Sequence, residues 1–125
     1  MIDHIGLDVA DIARSRAFYE AALAPLGYAV IAEEADGPST VVMFGVGGHP
    51  DFVIADKDRP GEANHVAFRG ETRSQVDAFH AAALAAGGRD NGAPGLRDRY
   101  GPNYYAAFVL DPDGFNIEAV CHAPE

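Results

Sequence analysis

Residues 4–27 read HIGLDVADIARSRAFYEAALAPLG, and residues 65–88 read HVAFRGETRSQVDAFHAAALAAGG. The two stretches align without a gap, and identical residues recur at one constant spacing. Four such pairs are His4 and His65, Phe18 and Phe79, Leu23 and Leu84, and Gly27 and Gly88. An ungapped match that runs through a strand pattern, a helix pattern and a glycine stop indicates a duplicated supersecondary unit.

Each copy is predicted to begin with a short strand. In the first copy Ile5, Leu7 and Val9 alternate with other residues, and in the second copy Val66 and Phe68 do so. Because successive side chains of a strand point to opposite faces, the histidine that opens each strand falls on the face opposite these apolar residues. The repeat therefore predicts two equivalent imidazoles on equivalent strand faces.

A helix is predicted to follow each strand. Asp11 is the expected N-cap of the first helix, and Thr72 or a close neighbour that of the second, because short polar side chains accept the free N–H groups of a first turn. Gly27 and Gly88 stand where the helices are expected to end.

The remainder of each half is interpreted as three further strands. After the first helix, strand patterns occur at 28–34, 40–46 and 51–56. After the second helix comes a weaker, loop-rich stretch at 89–103, and strand patterns follow it at 104–110 and 115–120. The predicted fold class is α+β, with two tandem βαβββ modules. The expected boundaries are module 1 at about 1–56, a connection at 57–63 and module 2 at about 64–122, all within a single domain of residues 1–125.

Composition limits the partners. The chain carries 19 acidic residues against nine Lys and Arg, a formal charge of −10 without a basic stripe, so nucleic acid is a poor partner. The scattered acidic residues fit a solvated surface, with an acidic groove for a cationic ligand as the alternative. No apolar run approaches the roughly 20 residues of a membrane span, which predicts no membrane partner. The single cysteine, Cys121, allows no internal disulfide, so the cytoplasm is the expected location.

A carboxylate interrupts the apolar strand pattern FNIEAV near the end of the chain. Glu118 stands between Ile117 and Ala119, and a buried carboxylate is costly unless it is paired, hydrogen-bonded or bound to a metal. By strand parity Glu118 faces away from its apolar neighbours, as His4 and His65 face away from theirs. If the helices cover the apolar faces, these three side chains project from the uncovered face and form a two-histidine, one-carboxylate set of divalent-metal ligands.

The sequence resembles the vicinal oxygen chelate superfamily, which includes glyoxalase I, extradiol ring-cleaving dioxygenases, fosfomycin thiol transferases and bleomycin resistance proteins. The resemblance rests on HIGLDVADIARSRAFYEAAL, on HVAF at 65–68 and on AAFVLDPDGFNIEAV at 106–120, and it covers essentially the whole chain. It implies an open, cup-shaped mixed sheet with the helices on its outer face, a homodimer, and one divalent metal ion (Zn, Ni, Mn, Co or Fe) in the cup. The family's ligand positions correspond to His4, His65 and Glu118.

One position departs from the glyoxalase I pattern. Those enzymes carry a second glutamate on the last strand of the first module, and matching DFVIAD with NIEAVC puts Val53 at the position equivalent to Glu118. Valine cannot ligate a metal, which lowers the expectation of lactoylglutathione lyase activity. The resemblance therefore implies a metal-dependent glyoxalase-like enzyme, of lyase, isomerase or transferase type, whose small substrate is chelated through vicinal oxygens. A non-catalytic drug-binding protein of the bleomycin-resistance type and an extradiol-type dioxygenase are the alternatives.

The stretch RDRYGPNYY is predicted to bind the substrate through Arg97, Arg99, Tyr104 and Tyr105. Loops carry binding residues disproportionately, and arginine with tyrosine suits an anionic or oxygen-rich substrate. A surface loop with aromatic rings tucked against the core is the alternative. Alternation puts Tyr104 and Tyr105 on opposite faces, so at most one of them lines the cup. Among the catalytic residues, Glu118 is expected to double as a base, and Tyr100 or an arginine of its loop to steady the substrate.

Overall fold

The computed structural model covers residues 1–125 and contains eight strands and two α-helices. The first half consists of β1 (Ile5–Asp8), α1 (Ile12–Leu23), β2 (Ala29–Asp36), β3 (Ser39–Val46) and β4 (His49–Ala55). The second half consists of β5 (His65–Arg69), α2 (Arg73–Ala85), β6 (Arg89–Leu96), β7 (Tyr105–Leu110) and β8 (Asn116–Cys121). Both halves have the order βαβββ, and the α+β class predicted from the repeat is confirmed. Neither helix is long and apolar enough to cross a membrane.

Both helices begin at the residues that the sequence indicates. The Asp11 carboxylate accepts a hydrogen bond from the backbone N–H of Arg14 at 3.0 Å. Thr72 opens α2 with a reciprocal capping box, in which its hydroxyl accepts from the Gln75 N–H and the Gln75 side chain accepts from the Thr72 N–H. These bonds satisfy donors that a first helical turn otherwise leaves free, so the local sequence fixes where each helix starts.

The strands form two separate four-stranded sheets. Their orders are β1-β4-β3-β2 and β5-β8-β7-β6, so the first strand of each module lies at a sheet edge and pairs in parallel with the last strand of the same module. In the first sheet Gly6 pairs with Val53, and in the second Ala67 pairs with Glu118. Gly6 and Ala67 stand at the repeat spacing, so Val53 occupies the place of Glu118 in the structure as well as in the alignment.

The stretch that reads as loop-rich, 89–103, contains a strand and a single 3-10 turn. β6 pairs with β7, but its register shifts between Asp90 and Gly92 and again between Gly92 and Gly95. Gly92 has φ of 155°, and a Cβ there would meet the Phe108 ring at 3.0 Å. The glycines accommodate bulges that break the period-2 alternation, which explains why the sequence gives so weak a strand signal.

The core is one contiguous cluster of 22 buried residues drawn from both halves. The two sheets contribute rings that meet in it, since the Phe52 and Phe68 centroids lie 5.1 Å apart. From β8 the cluster takes Ile117, Ala119 and Cys121, which share one face of the strand. Glu118 therefore points to the opposite face, as strand parity predicts.

The DPDG turn at 111–114, whose composition suggests only a hairpin turn, also binds the first helix. The buried Asp111 carboxylate accepts hydrogen bonds from the Tyr19 hydroxyl of α1 and from the backbone N–H groups of Asp113 and Phe115. Burial raises the pKa of the Asp111 carboxyl above its usual range, and burial with the nearby carboxylate raises the pKa of the Tyr19 hydroxyl. The turn thus links the second half of the chain to the first through a buried hydrogen bond.

Candidate metal centre

Glu118 lies in the middle of β8, and only 2% of its surface is exposed. Both of its carboxylate oxygens have close polar neighbours. Oε1 accepts a hydrogen bond from the Tyr104 hydroxyl at 2.5 Å, and Oε2 lies 3.2 Å from Nε2 of His65. These two contacts offset the cost of burying a carboxylate in an otherwise apolar strand.

The orientation of His65 is set by the backbone of the neighbouring strand. Its Nδ1 lies 2.8 Å from the carbonyl oxygen of Asn116. A carbonyl can only accept, so Nδ1 carries a hydrogen, and Nε2 is the ring nitrogen that faces Glu118. The contact of Nε2 with the carboxylate is favourable when a proton or a cation lies between the two atoms.

The donor set therefore fits a divalent cation. A metal-ligating histidine characteristically donates its other ring N–H to a backbone carbonyl or a carboxylate, as His65 does to Asn116. Imidazole nitrogen and carboxylate oxygen together suit Zn, Ni, Mn, Co or Fe. The Tyr104 bond leaves one carboxylate oxygen of Glu118, Oε2, directed at the imidazole.

Tyr104 is held beside the carboxylate by aromatic neighbours. Its ring makes edge contacts with Tyr100 at 5.3 Å and His122 at 5.2 Å between centroids. Ala106, two residues further along β7, lies on the same strand face and is fully buried. Burial, followed by the hydrogen bond to Glu118, raises the pKa of Tyr104 to about 12, so the hydroxyl remains a donor at neutral pH.

His4 lies outside this pair. It immediately precedes β1, its side chain is 60% exposed, and its Nδ1 lies 2.7 Å from an oxygen of Asp3. The hydrogen bond from His4 lowers the pKa of the Asp3 carboxyl. Within one chain no three His, Cys, Asp or Glu side chains converge as a metal site would require. The structure thus brings together two of the three predicted ligands, His65 and Glu118.

The predicted substrate-binding residues divide between two faces. Arg97, Arg99 and Tyr100 line a groove of about 370 Å³. The groove wall also includes Asn116 and Phe108, which contact His65. Tyr105 lies on the opposite face, where its hydroxyl donates to Asp77 of α2 at 2.6 Å and its ring packs under a guanidinium of the same helix. We therefore leave Tyr105 out of the candidate site.

Two residues of the site escape the sequence analysis. The Asn116 carbonyl orients His65, and the Phe108 ring stacks on the His65 ring at 6.5 Å with an interplanar angle of 22°. The sequence does contain a signal for Phe108. The DPDG turn indicates a hairpin, and the two strands of this hairpin, β7 and β8, pair Phe108 with Glu118. A backbone carbonyl leaves no comparable signal in the residue types.

The fold matches several solved structures along nearly the whole chain. A glyoxalase/bleomycin resistance protein from Albidiferax ferrireducens T118 is 27% identical, with a TM-score of 0.74 over 97% of this chain and 98% of that one. Glyoxalase I from Zea mays is 25% identical, with a TM-score of 0.73 over 96% of this chain and 45% of that one, so the present chain spans less than half of the maize protein.

The fosfomycin resistance protein FosX of Listeria monocytogenes, crystallised as its E126Q mutant with Mn(II) and 1S,2S-dihydroxypropylphosphonic acid, shares the fold at 20% identity. The TM-score is 0.73 over 98% of this chain and 92% of that one. Comparison with curated proteins gives no match. The family model of the Glyoxalase/Bleomycin resistance protein/Dioxygenase superfamily matches residues 1–119, nearly the entire length. The chain belongs to this superfamily.

Proposed function

We propose that the protein is a divalent-metal-dependent enzyme of the glyoxalase-like type, acting on a small substrate through two vicinal oxygens. The observation that carries the proposal is the contact of His65 Nε2 with Glu118 Oε2 at 3.2 Å, with Nδ1 committed to a backbone carbonyl. His65, Glu118 and His4 would hold the metal. When bound, such an ion supplies a Lewis acid that stabilises negative charge on a substrate oxygen. The Mn(II) crystallised with FosX is a precedent for a divalent ion on this fold.

The third ligand is proposed to come from a second copy of the chain. β1 and β5 are both sheet edges, so each presents backbone groups without a strand partner on one side. Exposed apolar side chains, Met1, Ile2 and Ile5, lie at the β1 edge. A homodimer that sets β1 of one chain beside β5 of the other would cover these side chains. It would also bring the partner's His4 to His65 and Glu118.

The residues of the site have distinct proposed roles. Glu118 is proposed to accept a proton from the substrate, because its buried carboxylate is oriented by the Tyr104 hydroxyl and pairs across the β7–β8 ladder with Phe108 of the groove wall. Tyr100 is exposed at the groove and packs against Tyr104, a position from which its hydroxyl can steady the substrate. Val53 offers no second carboxylate, so the proposed reaction is one that needs a single acidic residue at the metal.

Metal content measured by mass spectrometry tests this proposal. Protein purified without a metal-affinity step, or reconstituted with Zn, Ni, Mn, Co or Fe, is expected to hold about one ion per chain, since one triad forms for each chain. His65→Ala, Glu118→Ala and His4→Ala are each expected to lose it. His80→Ala is the matched control, because that histidine binds Asp90 on the helix side of the second sheet. Absence of metal after reconstitution would leave the non-catalytic binding protein as the better interpretation, and iron with oxygen consumption would indicate the dioxygenase.

A mixing experiment tests the shared site separately. A dimer of one His4→Ala chain and one Glu118→Ala chain has one intact triad, formed by the normal His4 of one chain and the normal Glu118 of the other. Co-refolded mixtures are therefore expected to recover metal that neither variant binds alone. If mixtures bind no more metal than the separate variants, the ligands do not come from two chains.

A further inference from the structure

We propose that the groove beside His65 and Glu118 binds an oxyanion, a carboxylate or phosphate group at one end of the substrate. We call it the arginine groove. Its lining residues are Asn91, Gly92, Arg97, Arg99, Tyr100, Phe108 and Asn116. The inference names the substrate class of the site described above and therefore rests on the proposed function. Its volume of about 370 Å³ is within the range of small-molecule sites.

The charge of the arginine groove is opposite to that of the chain. The protein carries a formal charge of −10, yet this groove is lined by two guanidinium groups and by no carboxylate. Asp98, which separates Arg97 and Arg99 in the sequence, lines the adjoining depression instead. Neither Arg97 nor Arg99 is among the cations that form ion pairs within the chain, which are Arg14, Arg16 and Lys57 out of nine Lys and Arg. Both positive charges are thus free to meet an anion.

Arg97 is held in place before any ligand arrives. Its guanidinium carbon lies 5.5 Å from the centroid of the Phe108 ring, and one Nη2 hydrogen is donated to the Ala93 carbonyl at 2.7 Å. A Cβ on Gly92 or on Gly95 would lie 3.2 Å from this guanidinium, so the two glycines leave room for it. The remaining N–H groups of this planar fork suit an oxyanion.

Arg99 is positioned in a similar way. Its guanidinium carbon lies 4.9 Å from the centroid of the Tyr100 ring, with which it forms a cation–π contact. The side chain is otherwise exposed and makes no ion pair, so it is the more adaptable of the two cations. The groove therefore combines one fixed and one mobile guanidinium.

Each metal-facing side chain is connected through aromatic rings to one of the two arginines. His65 stacks on Phe108, over which Arg97 lies. Glu118 is bound by Tyr104, which packs against the Tyr100 ring under Arg99. A small molecule whose two vicinal oxygens bind a metal held by His65 and Glu118 would extend along these rings and place an anionic end at the arginines.

Titration calorimetry with inorganic phosphate at low ionic strength tests the arginine groove. Full-length protein is used in its metal-replete and chelator-treated forms. Arg97→Gln and Arg99→Gln are each expected to weaken phosphate binding about tenfold or more in both forms, since each removes charge-assisted hydrogen bonds. Arg89→Gln is the matched control, because Arg89 lies on β6 and does not line the groove. It is expected to change the affinity by less than about twofold, as a distant surface charge is screened.

The result that overturns this inference is equal phosphate affinity in the groove variants and in Arg89→Gln, or no phosphate binding by the wild-type protein in either form. Arg99→Gln keeps the test decisive if Arg97→Gln does not fold, because Arg99 is exposed and packs only on Tyr100. The two proposals fail separately. Arginine-dependent phosphate binding by protein that never holds a metal supports the groove and contradicts the proposed function. Metal binding without arginine-dependent phosphate binding does the reverse.

Discussion

Replacing Tyr104 by Phe is expected to weaken metal binding without disturbing the fold. The substitution removes one hydroxyl, which donates to Oε1 of Glu118 at 2.5 Å, and keeps the ring that packs against Tyr100 and His122. While Oε1 is held in this way, Oε2 is directed at His65. Without the hydroxyl the carboxylate is free to rotate, so part of the binding energy is lost to ordering it.

The size of the effect follows from the kind of bond that is lost. A hydrogen bond to a charged group is worth about 1.5–3 kcal/mol, and about 1.4 kcal/mol corresponds to a factor of ten in affinity. Partners that orient metal ligands typically change metal affinity by about 10- to 100-fold. We therefore expect Tyr104→Phe to raise the dissociation constant for Zn²⁺ or Co²⁺ by about 10- to 100-fold, measured by competition with a chromophoric chelator.

Tyr105→Phe provides a closely matched control. It removes the hydroxyl of the adjacent tyrosine, which donates to the carboxylate of Asp77 at 2.6 Å on the other face of the strand. Metal affinity is expected to stay at the wild-type value in this variant. Equal or tighter metal binding by Tyr104→Phe, or an equal loss in both variants, would refute a positioning role for the Tyr104 hydroxyl.

Three further predictions concern stability and reaction type. Tyr19→Phe leaves one buried oxygen of Asp111 without its donor and is expected to lower the free energy of unfolding by about 1–3 kcal/mol in urea titrations; an unchanged midpoint would contradict the buried contact. Burial, then the bond to Asp51, raises the pKa of Tyr28 to about 12, so its contribution to stability is complete below about pH 10 and is lost as pH rises through 12. Between about pH 10 and pH 12 the free energy of unfolding of Tyr28→Phe should therefore fall less than that of the wild type. An equal fall in both proteins would contradict this role of the Tyr28 hydroxyl. Val53→Glu restores the second carboxylate and is expected to raise lactoylglutathione lyase activity in the metal-loaded protein, whereas no gain would show that Val53 is not what limits this reaction.

Much of the fold could be predicted because the sequence contains two copies of one supersecondary unit. The repeat gives the strand and helix that open each module, strand patterns give the strands that follow, and the capping residues give the helix starts. Matching the last strands of the two modules identifies Val53 as the counterpart of Glu118, which the strand registers reproduce. Such features depend on local patterns that two copies reinforce. β6 is the weakest prediction because Gly92 and Gly95 accommodate its irregular register, and no alternation survives there.

Some contacts of the core and of the candidate site depend on residues far apart in the sequence or on backbone atoms. Tyr19 and Asp111 meet across 92 positions, and turn composition explains the DPDG stretch without reference to a partner. The orientation of His65 depends on the carbonyl of Asn116, a group that every residue possesses. Side-chain identity predicts which groups can bind a metal, but the packing of α1, α2 and the two sheets determines which of them meet.

His4 and His65 are equivalent in the repeat, but this equivalence does not bring their side chains together in one chain. A repeat places His4 and His65 at equivalent points of two modules, but the modules form separate sheets joined through the core, and β1 and β5 are not hydrogen-bonded to each other. Only the second module carries the carboxylate, because Val53 replaces it in the first. In the proposed site the two modules contribute unequally, the first one imidazole and the second an imidazole with a carboxylate. A pair of chains with exchanged edges would form two sites of three ligands each, whereas an isolated chain forms none.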